Sequence, residues 1–325
     1  MKILVTGGAG YIGSHVAKAL AEAGHTPVVF DNLEMGHRWA VQFGPLIEAD
    51  LADAAAVKEA VSGVDGVIHM AGYIFVGESV KAPSKYYRNN FNNTLNLLDA
   101  MVESGVKPIV FSSTAAVYGE PEVVPIPEES RKVQINPYGE SKYFIEQALQ
   151  WYSSAHGLRT LALRYFNAAG ADASGTIGEM HNPETHLIPL IILAALGKRP
   201  HIQVFGTDYP SPDGTAVRDY IHVTDLARAH VLGIDYLSQG GASTALNVGT
   251  GQGHTVREVI RTVEGLSGMA VPVIEGPRRE GDSPSLVALA EKAGKVLGWK
   301  PEHSSLDEIV RSALAWHREG AARYS

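Results

Sequence analysis

The chain has 325 residues, of which 27 are Lys or Arg and 35 are Asp or Glu, so its formal net charge is −8. With 45% hydrophobic and 19% charged residues, its composition is globular and excludes a disordered chain. The absence of cysteine excludes disulfides, thiolate zinc sites, a cysteine nucleophile and iron–sulfur clusters. The acidic balance argues against nucleic acid as the main partner.

The first half of the chain alternates between short apolar runs and helical patterns. Strands are predicted at 2–6, 26–30, 45–49, 66–70, 108–112 and 160–164, and helices at 11–23, 54–61, 84–104 and 138–156. Strands separated by helices of this length imply right-handed crossovers. The predicted fold class is therefore α/β, with a doubly wound parallel (Rossmann) sheet.

After residue 167 the chain is richer in Gly, Pro, His and Thr, and helical patterns remain at 187–196, 224–237, 256–267 and 306–317. We expect residues 1–167 to form the cofactor domain and residues 168–325 a smaller α/β substrate lobe. The boundary is soft because a strand at 246–248 can return to the first sheet.

No targeting or membrane-spanning segment is predicted. Glycines interrupt the N-terminal apolar run before a signal-peptide core can form. The apolar stretch at 187–196 contains Pro189 and is about half as long as a membrane helix. We therefore expect a cytoplasmic protein with no membrane partner.

The first predicted strand runs into a glycine-rich loop, Thr6-Gly7-Gly8-Ala9-Gly10-Tyr11-Ile12-Gly13. Glycines at this spacing permit a tight turn and a close approach to a pyrophosphate, which then meets the N–H groups of the following helix. Asp31 ends the second strand, 18 residues after Gly13, where a carboxylate bonds a ribose diol and repels a 2′-phosphate. Because Asn32 follows with no Arg beside it, the pattern predicts NAD rather than NADP. The alternative is an ordinary turn.

Tyr138 and Lys142 are four residues apart and so share one face of a predicted helix. For a phenol to act as a base near neutrality, its pKa must fall by roughly 3, which costs about 4 kcal/mol. An ammonium about 4 Å away supplies about 4 kcal/mol at an effective dielectric constant of 20. We predict that Tyr138 is a base assisted by Lys142; the alternative is a surface pair on an amphipathic helix.

A hydroxyl cluster, Ser112-Ser113-Thr114, stands where a parallel strand ends, and ligands of open α/β sheets bind beyond such ends. Thr114 is placed to bond a reacting sugar oxygen beside Tyr138. The alternative is that these hydroxyls satisfy the backbone of a turn.

Together these motifs resemble the extended short-chain dehydrogenase/reductase family, over nearly the whole chain. Further matching runs are Val76-Gly77-Glu78-Ser79, Asn89-Asn90, Asn136-Pro137-Tyr138-Gly139-Glu140-Ser141-Lys142, Arg164-Tyr165-Phe166-Asn167, Asp208-Tyr209-Pro210, Asp213-Gly214-Thr215, Val217-Arg218-Asp219-Tyr220-Ile221-His222-Val223 and Arg278-Arg279-Glu280-Gly281-Asp282. The resemblance implies an NAD-dependent epimerase that interconverts UDP-glucose and UDP-galactose through a 4-keto intermediate. It also implies a homodimer packed through helices at about 92–104 and 140–156.

The resemblance also implies the site residues. Tyr138, Lys142 and Thr114 would be catalytic. The cofactor would contact Gly7, Gly10, Tyr11, Ile12, Gly13, Asp31, Asn32, Asp50, Leu51, Asn90, Ser112, Tyr138 and Lys142. The UDP-sugar would contact Thr114, Tyr138, Asn167, His186, Leu187, Val204, Phe205, Arg218, Arg279, Asp282 and Leu286. Planar guanidinium groups suit a pyrophosphate.

Four positions depart from the family pattern. Thr114 replaces a serine and keeps the hydroxyl, Ile74 replaces a lysine near the cofactor phosphate, and Thr185-His186 replaces an asparagine pair. Leu286 stands where a tyrosine can narrow the sugar pocket, so we expect UDP-N-acetylhexosamines to fit as well.

Several alternatives are weighed against this interpretation. A sugar-nucleotide dehydratase needs acidic residues where this chain has Ala115-Ala116. An epimerase of other UDP-sugars, including pentoses, or a non-catalytic NAD(H)-binding sensor stays open, although sensors usually lose the Tyr/Lys pair. The 13 histidines show no His-Glu-x-x-His motif and are scattered, so no metal is expected.

Overall fold

The computed structural model describes residues 1–279 and 282–321 as thirteen strands and eleven α-helices. The strands are β1 Lys2–Thr6, β2 Thr26–Asp31, β3 Leu46–Glu48, β4 Gly66–His69, β5 Pro108–Thr114, β6 Arg159–Tyr165, β7 Asn167–Ala169, β8 Ile202–Phe205, β9 Val217–His222, β10 Thr244–Val248, β11 Gly253–Thr255, β12 Val273–Gly276 and β13 Ser285–Leu286. The helices are α1 Tyr11–Glu22, α2 Ala54–Val61, α3 Val76–Lys81, α4 Pro83–Tyr86, α5 Asn93–Ser104, α6 Pro137–His156, α7 Leu187–Ala195, α8 Val223–Ser238, α9 Val256–Ser267, α10 Glu291–Leu297 and α11 Leu306–Ala315.

Seven parallel strands form the main sheet in the order β10-β6-β5-β4-β1-β2-β3. Helices α2, α5 and α6 pack on one face, and α1 and α8 pack on the other. Because both faces are buried, the strands are continuous apolar runs rather than alternating ones. The predicted doubly wound Rossmann sheet is confirmed.

The smaller lobe is built from β7, β9, β11 and β13, from the parallel pair β8–β12, and from α7, α9 and α11, which enclose a separate core. Between β9 and β11 the chain returns to the main sheet, where β10 pairs with β6. Strand β10 thus belongs to the first sheet although it follows residue 167. The division of the chain into two domains at that residue stays a prediction. Within the part of the chain that the structure describes, no helix has the length and hydropathy to cross a bilayer.

The predicted helix at 84–104 is interrupted in the structure. Pro83 begins the short helix α4, and a π-helical segment at Tyr87–Asn92 precedes α5. This wider turn brings the Asn90 amide to the backbone of Tyr73, with bonds of 2.8 Å to its N–H and 3.0 Å to its carbonyl. Apolar periodicity does not reveal a π-turn, which is often found at functional sites.

A buried ion pair joins α6 to the main sheet. Arg164 on β6 donates to both oxygens of Glu146 on α6, with Nε–Oε1 2.9 Å and Nη2–Oε2 2.6 Å. Ser113 on β5 donates to the same carboxylate at 2.5 Å, and Arg164 also reaches the Tyr118 hydroxyl at 3.0 Å. The pair thus connects two strands and a helix below the carboxyl edge of the sheet.

Replacing Arg164 by Met should lower the free energy of unfolding by about 3–5 kcal/mol, because it leaves the Glu146 carboxylate buried and unpaired. Urea denaturation would measure the loss. The matched control is Lys295→Met, which breaks an exposed pair with Glu291 and should change stability little. Equal effects of the two variants would contradict the structural role of the buried pair.

Candidate active site

A cavity of about 430 Å³ opens at the carboxyl ends of the main strands. Many predicted site residues line it: Gly7, Gly10, Tyr11, Ile12, Gly13, Asp31, Asn32, Asp50, Leu51, Thr114, Tyr138, Asn167, His186 and Leu286. They come from loops far apart in the sequence, and the parallel sheet collects them at one edge. This is the position at which open α/β sheets bind ligands.

The glycine-rich loop can be formed only with glycine at two positions. Gly7 has φ +70°, and a Cβ on it would lie 2.7 Å from the Ala71 nitrogen. A Cβ on Gly13 would lie 2.1 Å from the Gly7 carbonyl oxygen, so α1 packs directly against the loop. Gly10 caps α1, and no described side chain bonds its first N–H groups, which leaves them available to an anion.

Asp31 ends β2 beside this loop and is 8% exposed. Its carboxylate accepts the Ala9 N–H at 3.0 Å and the Leu33 N–H at 2.9 Å. Burial raises the pKa of Asp31, while these two hydrogen bonds oppose the rise. Next to it, the Asn32 amide donates to Asp50 at 2.7 Å. The glycine loop and the Asp31 carboxylate, which were predicted to bind a pyrophosphate and a ribose, therefore lie together in one cavity.

Three of the predicted cofactor residues do not line the cavity but lie behind the residues that do: Asn90, Ser112 and Lys142. Lys142 Nζ donates to the Ser112 carbonyl at 3.0 Å. A Cβ on Gly72, which lines the cavity, would lie 3.1 Å from Asn90 Oδ1 and 3.5 Å from Lys142 Nζ. Because Gly72 has no side chain, the Asn90 amide and the Lys142 ammonium lie directly behind the cavity wall at this position.

Tyr138 lies in the first turn of α6. The helix begins there because the Asn136 side chain accepts the Gly139 N–H at 2.8 Å and Pro137 follows the cap. A Cβ on Gly139 would lie 2.7 Å from the Ala116 carbonyl oxygen, so only glycine allows α6 to approach the segment after β5 this closely. That approach brings the Tyr138 phenol close to the Thr114 hydroxyl, and both residues line the cavity.

The electrostatic balance at this pair differs from the sequence-based argument. Burial raises the pKa of Tyr138, and the nearby Thr114 hydroxyl opposes the rise. Burial also lowers the pKa of Lys142 to about 8. The reason is local: the Lys142 ammonium is 3% exposed and bonds the Ser112 carbonyl, 5.0 Å from the Phe111 ring centroid. Desolvation therefore outweighs the attraction that the sequence argument assigned to the ammonium.

Sequence analysis did not select Tyr165 or His230 as functional residues. Tyr165 ends β6, lines the cavity, and has a pKa raised by burial and by the neighbouring Tyr138. Its phenol lies close to Ser112, whose hydroxyl is 3.1 Å from His230 Nε2. Burial lowers the pKa of His230 to about 4, so this imidazole is neutral. The sequence signal that could have indicated Tyr165 as a cavity-lining residue is its position at the end of a strand.

The predicted sugar-side residues fall into two groups. Asn167 and Leu286 line the cavity, and the Asn167 amide donates to the Asp219 carbonyl at 3.0 Å. Leu187 and Val204 instead pack in the core of the smaller lobe, and Val204 is 1% exposed. Any ligand contact of Val204 would therefore involve its backbone.

A second cluster combines Phe205, Arg218, Arg279 and Asp282. Arg218 forms an ion pair with Asp282, and Arg279 Nη2 lies 3.4 Å from the same carboxylate. The Arg279 guanidinium stacks over the Phe205 ring at 4.6 Å. Two guanidinium groups share one carboxylate, so the cluster attracts anions. Residues 280 and 281 of the Arg278–Asp282 run lie outside the described residues.

This arginine cluster adjoins the cavity through the lobe's sheet. Strand β13 pairs with β9 so that Leu286 is opposite Arg218. Leu286 lines the cavity, and its neighbour carries the guanidinium. A ligand with a sugar near Tyr138 and an anionic diphosphate near Arg218 would follow this path.

His186 caps the N-terminus of α7 without a side-chain bond to it, and its Nδ1 lies 3.0 Å from Glu184 Oε1. The ring of His181 is 5.0 Å away, centroid to centroid. The expectation that the histidines are scattered is thus wrong for these two. They meet because the irregular segment before α7 folds back on itself.

The sequence profile of the NAD dependent epimerase/dehydratase family matches residues 3–249. A UDP-glucose 4-epimerase of Rhizobium leguminosarum bv. trifolii is 54% identical over 317 residues, 97% of each chain. The crystal structure of UDP-glucose 4-epimerase from Brucella ovis in complex with NAD is 48% identical with a TM-score of 0.95, and covers 96% of this chain and 97% of its own. That of the Bifidobacterium longum enzyme, in complex with NAD⁺ and UDP, is 40% identical with a TM-score of 0.93, and covers 98% of both chains. The chain therefore belongs to the NAD dependent epimerase/dehydratase family.

Proposed function

We propose that this protein is a UDP-glucose 4-epimerase that uses NAD to interconvert UDP-glucose and UDP-galactose. The observation that carries the proposal is that Tyr138 and Thr114 line the same cavity as the dinucleotide loop. Relatives about half identical over nearly their whole length bear that name, which supports the same reaction here. Ala115 and Ala116 line the cavity beside Thr114 and offer no carboxylate for a dehydration.

In the proposed mechanism, Tyr138 takes the proton of the sugar 4-hydroxyl and returns it after the sugar has turned over. When bound, NAD supplies reversible oxidation at carbon 4 of the sugar, so that a 4-keto sugar is the intermediate. Thr114 orients the reacting oxygen through its hydroxyl. Lys142, next to the Ser112 carbonyl and Gly72, would hold the cofactor ribose. The reaction inverts one stereocentre without net oxidation, so the cofactor must stay bound throughout.

The nucleotide half of the substrate is assigned to the smaller lobe. Arg218 and Arg279 provide two planar guanidinium groups with one carboxylate between them, Asp282. Such groups bond phosphate oxygens in pairs and keep their charge at any working pH. We propose that they hold the diphosphate while Asn167 and Leu286 contact the part of the ligand nearer Tyr138.

Chromatography of UDP-galactose after incubation with the purified protein, without added NAD, tests this function. Formation of UDP-glucose supports an epimerase that retains its cofactor. Binding of NAD(H) without conversion, even when NAD is added, would instead favour a non-catalytic sensor. The same incubations, run with UDP-pentoses, would define the sugar range.

Tyr138→Phe removes the proposed base and keeps the ring, so turnover should fall about 10²–10⁴-fold. Coupled detection of UDP-glucose measures turnover, and calorimetry with UDP measures whether nucleotide binding stays intact. The matched control is Tyr236→Phe, because the Tyr236 hydroxyl bonds the Ala242 carbonyl outside the cavity. Unaltered turnover of Tyr138→Phe would reject the assignment.

We further propose that UDP-N-acetylhexosamines are substrates, because the cavity is bordered by Leu286 rather than a larger aromatic residue. Leu286→Tyr should lower kcat/KM for UDP-N-acetylgalactosamine about 10-fold or more while that for UDP-galactose changes less, since added bulk clashes with the acetyl group. Turnover of both sugars by both proteins measures this. No detectable epimerisation of the N-acetylated sugar by the unaltered protein would contradict the proposal.

We also propose a homodimer through α5 and α6. Tyr152 on α6 bonds Asp99 on α5 at 2.5 Å, and Trp151 beside it is 74% exposed, which is unusual for so large an apolar ring. Trp151→Glu should shift the molecular mass measured by light scattering from that of two chains to that of one. Val123→Glu, at an exposed position away from these helices, is the control. A cytoplasmic location stays a prediction from the sequence.

A further inference from the structure

Four side chains with metal-binding groups converge between β7 and α7. They are Glu179, His181, Glu184 and His186, and each offers one ligand atom. All four atoms lie within 4.8 Å of one another. Three of these residues also line the rim of the cavity, so the cluster borders the active site without including the proposed base.

The separations within the cluster suit a tetrahedral metal site. Glu179 Oε1 lies 2.8 Å from His186 Nδ1 and 3.3 Å from His181 Nδ1, and His181 Nδ1 lies 3.6 Å from Glu184 Oε2. Ligands at about 2.0–2.2 Å from a tetrahedral Zn²⁺ ion are about 3.3 Å apart. These three separations are close to that value, whereas the wider ones, up to 4.8 Å, would have to shorten when an ion is coordinated.

Two of these atoms make no hydrogen bond to any described residue, although each lies within ion-pair distance of a neighbour in the cluster. Glu179 is 3% exposed, yet its Oε1 makes no hydrogen bond within the described part of the chain, and neither does His181 Nδ1. They are near each other and near His186, but not aligned as hydrogen bonds. Buried polar atoms without partners are rare, because each costs free energy. Buried ligand atoms that lie this close together without a hydrogen bond between them are an arrangement that a bound cation would satisfy.

We propose that Glu179, His181, Glu184 and His186 bind a divalent transition-metal ion of the Zn²⁺ class. Two imidazoles and two carboxylates are borderline ligands that suit zinc, and two carboxylates balance its charge. Four protein ligands leave no open position for a reacting water, so the site is structural.

The surroundings of the cluster support this role. The backbone of the ligand segment is fixed from outside: Trp316 Nε1 donates to the Glu179 carbonyl at 2.7 Å, and His37 Nε2 donates to the Met180 carbonyl at 2.8 Å. Glu184 Oε1 accepts the His186 N–H at 2.8 Å, which orients that carboxylate. A bound ion would lock the segment before α7 against the cofactor loop and the C-terminal helices. This inference does not depend on the proposed epimerase activity.

Calorimetric titration with ZnCl₂ tests the proposal on the full-length protein after dialysis against a chelator. We expect saturable binding of about one Zn²⁺ per chain and a rise in Tm. Co²⁺ in place of Zn²⁺ should give the visible absorption of a tetrahedral ion. Absence of saturable binding to the unaltered protein would overturn the proposal and leave the cluster as ion pairs of protonated imidazoles with carboxylates.

Two variants locate the site. His181→Ala and Glu184→Gln should each weaken Zn²⁺ binding at least about 10-fold and remove the Tm rise. The control is His303→Ala, which breaks another His–Glu pair, His303 Nδ1 to Glu308 Oε1 at 2.6 Å, and should leave binding unchanged. Circular dichroism verifies that each variant is folded. Zn²⁺ affinities equal to that of the unaltered protein in both cluster variants would overturn the assignment.

Discussion

The buried ion pair between Arg164 and Glu146 holds together the elements on which the site depends. It fixes α6, which carries Tyr138, to β6, and Ser113 ties the same carboxylate to the strand that ends at Thr114. A charge left unpaired in this interior would be costly, so helix and strands have little freedom to separate. The Tyr138 and Thr114 hydroxyls in the cavity are therefore positioned by an ion pair whose residues do not line the cavity.

The electrostatics of the site are local and run against the charge of the whole chain. The net charge is −8, yet the groups that face the proposed anionic ligands are helix N–H groups, Lys142, Arg218 and Arg279. The N–H groups belong to α1, and the two arginines belong to the smaller lobe. In the proposed function the two lobes thus divide recognition between them: the glycine loop would bind the cofactor, and the arginines would bind the second nucleotide. The pairing of β13 with β9 joins the two regions.

Short contiguous motifs that the backbone geometry requires were predictable from the sequence. Gly7 and Gly13 have no room for a side chain, and Asp31 ends a strand beside them, so the spacing predicted this turn and the position of the carboxylate. Tyr138 and Lys142 share a helical face, but the sequence could not show how deeply burial would change the pKa of each. The alternation of predicted strands and helices along the chain also predicted the parallel arrangement of the main sheet correctly.

Contacts that depend on tertiary packing were not predictable. His230 reaches Ser112 across 118 residues of sequence, and the π-helical turn that orients Asn90 leaves the apolar pattern unchanged. Glu179, His181, Glu184 and His186 are close in sequence, but they lie outside any helix or strand, so no periodicity predicts that their side chains meet.

The return of β10 to the edge of the main sheet has a consequence for synthesis of the chain. Strand β10 ends at residue 248, whereas its neighbour β6 ends at residue 165. A ribosome must therefore release β7, α7, β8 and β9 of the smaller lobe before the seventh strand of the main sheet can be added. The main sheet cannot reach its final form as an early, independent unit, because its last strand is added only after these four elements of the smaller lobe have been synthesised.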